Sequence, residues 1–178
     1  VWYYAGIIEN SMLRRLHLKD AEFMLEWMHD SHINSMFNVN FESFLIEDAR
    51  NFILNSFDEK NHHFAVVDEN DEYLGTISLK NISLKDRNAE YAVVLRKKAH
   101  GTGVSNLATR EILDYAFNTL KLERVYLNVL EENMRARAFY EKMGFTQEGV
   151  FKKHKYIRGS FQDLFWFGIL KESYEDGN

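Results

Sequence analysis

The chain of 178 residues is the size of one domain and long enough to bury roughly 70% of its unfolded surface without a staple. Its 46% hydrophobic and 28% charged residues exclude a disordered protein, and the absence of cysteine excludes disulfides, thiolate metal sites and a cysteine nucleophile. With 22 Lys and Arg against 27 Asp and Glu, a net charge of −5 argues against a nucleic-acid backbone as the main partner.

Val1–Ile8 is apolar but too short to span a membrane and lacks a basic stretch before it. No targeting segment is therefore expected, no membrane partner is read, and the cytoplasm is the expected compartment. A first strand is expected at Met12–Leu18, then a helix at Ala21–Met28 with Asp20 as its N-cap. The polar run from His29 to Phe41 reads as a loop, and 47–56 as a second helix that buries Ile46, Phe52, Ile53 and Phe57. His63–Asp68 and Tyr73–Leu79 flank a polar turn and form a hairpin signal, and Ala89–Leu95 adds a third strand. A long helix at Val104–Leu120, a strand at Val125–Leu130 and a helix at Asn133–Met143 ended by Gly144 follow. Val150–Ile157 and Leu164–Leu170 close the chain as a hairpin around Arg158-Gly-Ser160. The order implies a single α/β (α+β) layer domain with a mixed, mostly antiparallel sheet of about seven strands and about four helices.

The crossover carries the first chemical signal. A strand runs through Arg96, Lys97 and Lys98 into Gly101-Thr-Gly103 and a helix start. Freed amides at such a turn and the positive helix end attract an anion, and glycine lets the backbone approach it. The three upstream cations are expected to add to that field. A tight turn without a ligand is the plain alternative. There is no third glycine for a dinucleotide fingerprint and no Gly-Lys-Ser/Thr for a triphosphate loop. In the helix behind the turn, Arg110, Glu111, Asp114 and Asn118 share one face and apolar residues fill the rest, so the helix is expected to be deeply buried.

The second signal is Asn133-Met-Arg-Ala-Arg-Ala-Phe-Tyr-Glu-Lys-Met-Gly-Phe145. Ala136, Phe139 and Met143 are expected to pack on the sheet, while Asn133, Arg137 and Tyr140 form a stripe beside them. A half-buried core tyrosine is the alternative reading of Tyr140.

Together the two segments resemble the GNAT superfamily of acetyl-CoA-dependent N-acetyltransferases. Its first motif, Gln/Arg-x-x-Gly-x-Gly/Ala, reads Lys98-Ala-His-Gly101-Thr-Gly103 here, with lysine in place of the usual residue. Its second, Asn-x-x-Ala-x-x-x-Tyr with a closing Gly-Phe, is complete as Asn133, Ala136, Tyr140, Gly144 and Phe145. The tail Gln147-Glu-Gly149 with His154-Lys-Tyr-Ile-Arg-Gly-Ser-Phe-Gln-Asp163 is similar to the ribosomal-protein and spermidine acetyltransferase subgroup.

The resemblance implies direct attack of an amine on acetyl-CoA as cosubstrate, with no metal. The expected cofactor contacts are Val93, Val94 and Leu95 on the strand, and Lys98, Ala99, His100, Gly101, Thr102, Gly103, Val104 and Ser105 around the turn. Asn133, Arg137 and Lys142 complete the set. Tyr140 holds the family's general-acid position: a phenol of pKa ~10 can protonate a thiolate whose conjugate acid lies near ~8.5. Glu90 is the expected base, acting through water, with a cross-strand ion pair as its alternative role. His100, His154 and Asp163 are weaker candidates.

The acceptor is expected to be a primary amine of a small metabolite such as an amino-sugar, or of a protein N-terminus. The loop from Asn34 to Phe41 lacks a carboxylate, which ranks polyamines such as spermidine lower as the alternative. Trp27, His29, His32, Asn34, Phe37, Asn38 and Asn40 are candidates to line the acceptor site, with a solvated helix end as the favoured reading of His29, His32 and Asn34. A non-catalytic acyl-CoA sensor is the other alternative, and a homodimer is among the assemblies the resemblance allows.

Overall fold

The computed structural model describes residues 11–35, 37, 39 and 41–176. The apolar start at Val1–Ile8 and two of the acceptor candidates, Asn38 and Asn40, lie outside them.

Seven strands form one sheet: β1 (Leu13–Arg15), β2 (His62–Val67), β3 (Tyr73–Ser83), β4 (Asn88–Leu95), β5 (Arg124–Leu130), β6 (Thr146–Ile157) and β7 (Ser160–Leu170). Their order across the sheet is β1-β2-β3-β4-β5-β7-β6, and every neighbouring pair is antiparallel except β4 with β5. The helices are α1 (Ala21–Met28), α2 (Ser31–Asn34), α3 (Ile46–Leu54), α4 (Val104–Asp114), α5 (Met134–Lys142) and α6 (Lys171–Asp176). Four of them match the expected helices. The additions are short: α6 extends the chain beyond β7, and α2 lies inside the segment expected to be a loop. Asp30 makes α2 by capping it, its carboxylate accepting from the His32 and Ile33 amides.

Two apolar layers hold the sheet. Ile77, Leu79, Tyr91, Leu127 and Phe167 meet Ile112, Leu113 and Phe117 on the face covered by α4 and α5. Met24, Trp27, Ala49 and Ile53 of α1 and α3 cover Ala65, Val67 and Tyr73 on the other face. Ile53 is buried as expected, while Ile46, Phe52 and Phe57 are only half-buried. Phe57 leaves that layer to stack on His62 at 3.9 Å under the Arg15 guanidinium.

Several boundaries differ from expectation. The first strand keeps only Leu13–Arg15. Asp20 precedes α1 but makes no cap bond to it. It is buried, accepts from the His17 amide at 2.8 Å, and binds Arg14 Nη1 at 2.8 Å and Nη2 at 2.9 Å. The helix expected at Val104–Leu120 changes at Tyr115 into a π turn through Thr119, which brings the Tyr115 hydroxyl within 3.0 Å of His62 Nδ1. Its buried face is as expected, and Arg110, Asp114 and Asn118 are exposed. The closing hairpin turns on Arg158 and Gly159, both at positive φ, between paired Ile157 and Ser160.

Candidate active site

The site begins where the sheet opens. β4 and β5 pair only from Asn88 to Glu90 against Arg124 to Tyr126, yet β4 runs on to Leu95 and β5 to Leu130. β3 keeps its hold on the other edge of β4 up to Leu95, and β7 keeps its hold on β5 up to Leu130. A gap therefore widens between two rigid half-sheets beyond Glu90. Among the described residues the main-chain groups of β4 facing it have no strand to bond, a natural place for an extended ligand to add as a strand would. Val93, Val94 and Leu95 sit on this stretch.

The glycine turn stands at the open end. Gly101 and Gly103 adopt φ of 78° and 85°, and a Cβ built on either would meet no atom within 4 Å. Thr102 shapes the turn by donating its hydroxyl to Ala99 O at 2.7 Å and accepting from the Val104 amide at 3.4 Å. The amides of Gly101, Gly103 and Ser105 have no acceptor among the described residues. Three free donors at the start of an eleven-residue helix form a cradle suited to a pyrophosphate.

The upstream cations do not serve that cradle as expected. The buried Arg96 guanidinium bonds Glu26 at 2.5 Å, Glu72 at 2.7 Å and Tyr73 O at 2.7 Å, pinning the end of β4 to α1 and the β2–β3 turn. Lys98 also binds Glu72, at 2.7 Å. Among the described residues Lys97 alone of the three has no ionic partner. His100 turns its ring back to Leu95 O at 3.1 Å.

Helix α5 lies on the same face as α4. Asn133 caps it, Oδ1 accepting from the Ala136 amide at 3.2 Å, which leaves its amide nitrogen for a ligand. The Arg137 guanidinium lies 3.9 Å over the Phe165 ring, with its buried Nε unpartnered among the described residues. Such an orphaned donor costs about 1–3 kcal/mol and fits a site completed by a bound molecule. Lys142 is exposed at the far end of the helix, about 13 Å of rise from Asn133.

Tyr140 is more buried than the stripe reading implied: at 9% exposure it is more enclosed than Phe139 or Ala136. Its ring meets Tyr91, Phe139, Phe145 and Phe167 at 5.5 to 6.3 Å. Its hydroxyl has no hydrogen-bond partner among the described residues, and burial pushes its pKa up to about 12.

Glu90 lies on the opposite sheet face, at the last paired position before the gap. Its carboxylate accepts from Lys80 Nζ at 3.0 Å, Asn81 Nδ2 at 2.9 Å and Asn128 Nδ2 at 3.3 Å. Asn128 thus reaches it from the far side of the opening. Beside Asn128, across the β5–β7 pair, stands Trp166, whose buried indole N–H is unpartnered among the described residues. Of the weaker candidates, Asp163 is held below the usual carboxylate range by Lys152 and the Lys153 amide. His154 is exposed against Phe151.

A cleft of about 520 Å³ opens between α2 with the segment after it and the β6–β7 hairpin, lined by Asn34, Ser35, Phe37, Glu42 and Arg158 among others. Asn34 and Phe37 are among the residues that line this cleft. Trp27 is not: it is buried in the core and donates to the Tyr73 hydroxyl at 3.0 Å. His29 is turned to Phe44 O at 2.9 Å and His32 is exposed, and neither lines the cleft. The sequence reading missed Glu42, one residue beyond the loop taken to lack a carboxylate. It also missed Arg158, which donates to Ser35 O and pairs with Glu132 at 3.3 Å. The Lys80 contact is the cross-strand ion pair given as the alternative role of Glu90, since Lys80 stands directly opposite it on β3.

Comparison with known proteins fits this geometry. The family model described as acetyltransferase (GNAT) domain matches residues 11–146. The chain is 30% identical over 164 residues to a spermidine N(1)-acetyltransferase of Vibrio cholerae, covering 91% of this chain and 94% of that one. It is 35% identical over 101 residues to a putative ribosomal N-acetyltransferase of Bacillus subtilis, 57% of this chain and 55% of that one. A crystal structure of spermidine N-acetyltransferase from Vibrio cholerae in complex with CoA and spermine superposes with a TM-score of 0.83 at 27% identity, covering 92% of this chain and 96% of that one. The family model over most of the chain, with relatives matched over nine-tenths of their length, shows that the chain belongs to the GNAT family of acetyl-CoA-dependent N-acetyltransferases.

Proposed function

We propose that this enzyme acetylates a polyamine of the spermidine class, the amine attacking the thioester directly while both substrates are bound. The observation that carries the reading is the likeness over more than nine-tenths of both chains to a spermidine acetyltransferase. Its fold neighbour was solved with CoA and spermine. Glu42 in the cleft supports it, supplying the carboxylate an ammonium group would seek. This reverses the lower rank that the 34–41 loop suggested for polyamines. The shorter likeness to a putative ribosomal acetyltransferase keeps a protein N-terminus as the second reading.

Acetyl-CoA supplies an activated acyl group and a thiol leaving group. The amides of Gly101, Gly103 and Ser105 would hold its pyrophosphate, the Asn133 amide nitrogen its pantetheine arm, and the gap beside Val93 to Leu95 would align it as an added strand. Lacking cysteine, the chain has no thiol to carry the acetyl group itself. Tyr140 Oη would deliver the proton to the departing sulfur. Its raised pKa keeps it protonated at neutral pH, and the same dry surroundings raise the proton affinity of a thiolate beside it. Glu90 would take the proton from the attacking ammonium through water. Its three donors fix the orientation of the carboxylate at the edge of the gap.

The acceptor is tested with Glu42→Gln. An exposed ion pair is worth about 1 kcal/mol, so the KM for spermidine is expected to rise roughly fivefold with that for an amino-sugar unchanged. Equal effects on both, or none, would remove Glu42 from polyamine recognition. Glu90→Gln is expected to flatten the rise of rate with pH without loss of coenzyme A affinity; an unaltered profile removes Glu90 as base.

A further inference from the structure

We propose that Tyr91 is a positioning residue of this site, a buried tie that holds the amide-bearing helix α4 and the Tyr140 ring at a set spacing across the opening of the sheet. The proposal rests on the reading that the glycine turn holds the pyrophosphate and that Tyr140 works at the sulfur. Tyr91 is the first residue of β4 beyond the last β4–β5 pair. It is 2% exposed and reaches two helices at once. Its hydroxyl lies 2.8 Å from Oγ1 of Thr109, itself wholly buried in α4 about 8 Å of rise from the helix start. Its ring stands edge-on to Tyr140, centroids 5.9 Å apart and planes at 85°, and also touches Phe145 at 5.7 Å.

This matters because the two helices work on one molecule. The pyrophosphate and the sulfur of coenzyme A are joined by an arm of set chemical length, so the cradle and the phenol must keep a matching separation. The Tyr140 hydroxyl is anchored by no hydrogen bond among the described residues, which leaves its direction to the packing of its ring. Tyr91 supplies part of that packing and hydrogen-bonds the cradle helix with the same side chain. A phenylalanine at 91 would keep the ring contact and lose the tie to α4.

The test compares Tyr91→Phe, Thr109→Val, the double variant and Thr109→Ser, reading coenzyme A affinity by calorimetry, kcat, and melting temperature. Loss of one net hydrogen bond predicts about a three- to tenfold fall in affinity or kcat for each of the first two variants. The double variant should lose no more than either alone, because one interaction is removed twice. Thr109→Ser keeps the hydroxyl and should stay near the parent. Multiplying losses in the double variant would overturn the proposal, as would lowered melting temperatures with affinity and kcat unchanged. Failure of the parent protein to bind coenzyme A would instead overturn the cofactor-site reading itself, and the proposal with it.

Discussion

A half-buried histidine shows how one residue's surroundings become a property of the whole chain. His63 on β2 places Nδ1 2.6 Å from the Ser78 hydroxyl, and burial, reinforced by the Lys80 charge, lowers its pKa to about 4. In the unfolded chain it would titrate near ~6.5. Unfolding therefore binds a proton between those values: stability is full above pH 6.5 and falls as pH drops through the window toward 4. At about 1.4 kcal/mol per unit, the loss is on the order of 3 kcal/mol. Melting temperatures should accordingly fall over that range in the parent and fall less in His63→Gln; equal slopes would show that His63 is not the group responsible. Asp20 and Arg14 mark another sensitive point, since removing the half-buried Arg14 would leave the carboxylate of Asp20 buried without its ionic partner.

Among the elements, β3 carries the tightest steric demand. A Cβ on Gly75 would sit 2.3 Å from Val94 O and 2.6 Å from the Leu95 side chain, whereas one on Gly149 of β6 would meet nothing within 4 Å. Gly75→Ala should cost about 1–3 kcal/mol and Gly149→Ala close to nothing, measured by denaturant unfolding; similar costs would contradict the close β3–β4 approach. This contrast also shows what the sequence could carry. Alternation and turn residues place the strands of the β2–β3–β4 meander, and the Gly101, Gly103, Asn133 and Tyr140 spacing places both helices of the cofactor side. The parting of β4 and β5 was not legible, because it depends on where pairing stops and not on any residue type. Asp20 read as a cap since an acid before a helix usually is one; the competing claim of Arg14 is tertiary. Trp27 read as a cleft aromatic for want of the Tyr73 hydroxyl that draws it inward.

At the scale of the molecule, the sheet divides the chemistry. The glycine turn, Asn133 and Tyr140 lie on the α4–α5 side and Glu90 on the opposite face, and in the proposed mechanism the gap beyond Glu90 and Tyr126 would be the passage between them. A donor laid in the gap and an amine coming from the other face would meet there, which is why a sheet opened between two well-paired halves suits transfer between two substrates. The measurement that tests this account most directly is thiol release from acetyl-CoA with and without spermidine, for the parent and Tyr140→Phe. A chain without cysteine contributes no background thiol. The account predicts release that depends on spermidine and falls about 100-fold in Tyr140→Phe while calorimetric affinity for coenzyme A is kept. Release that ignores the amine, or a Tyr140→Phe variant as fast as the parent, would contradict it.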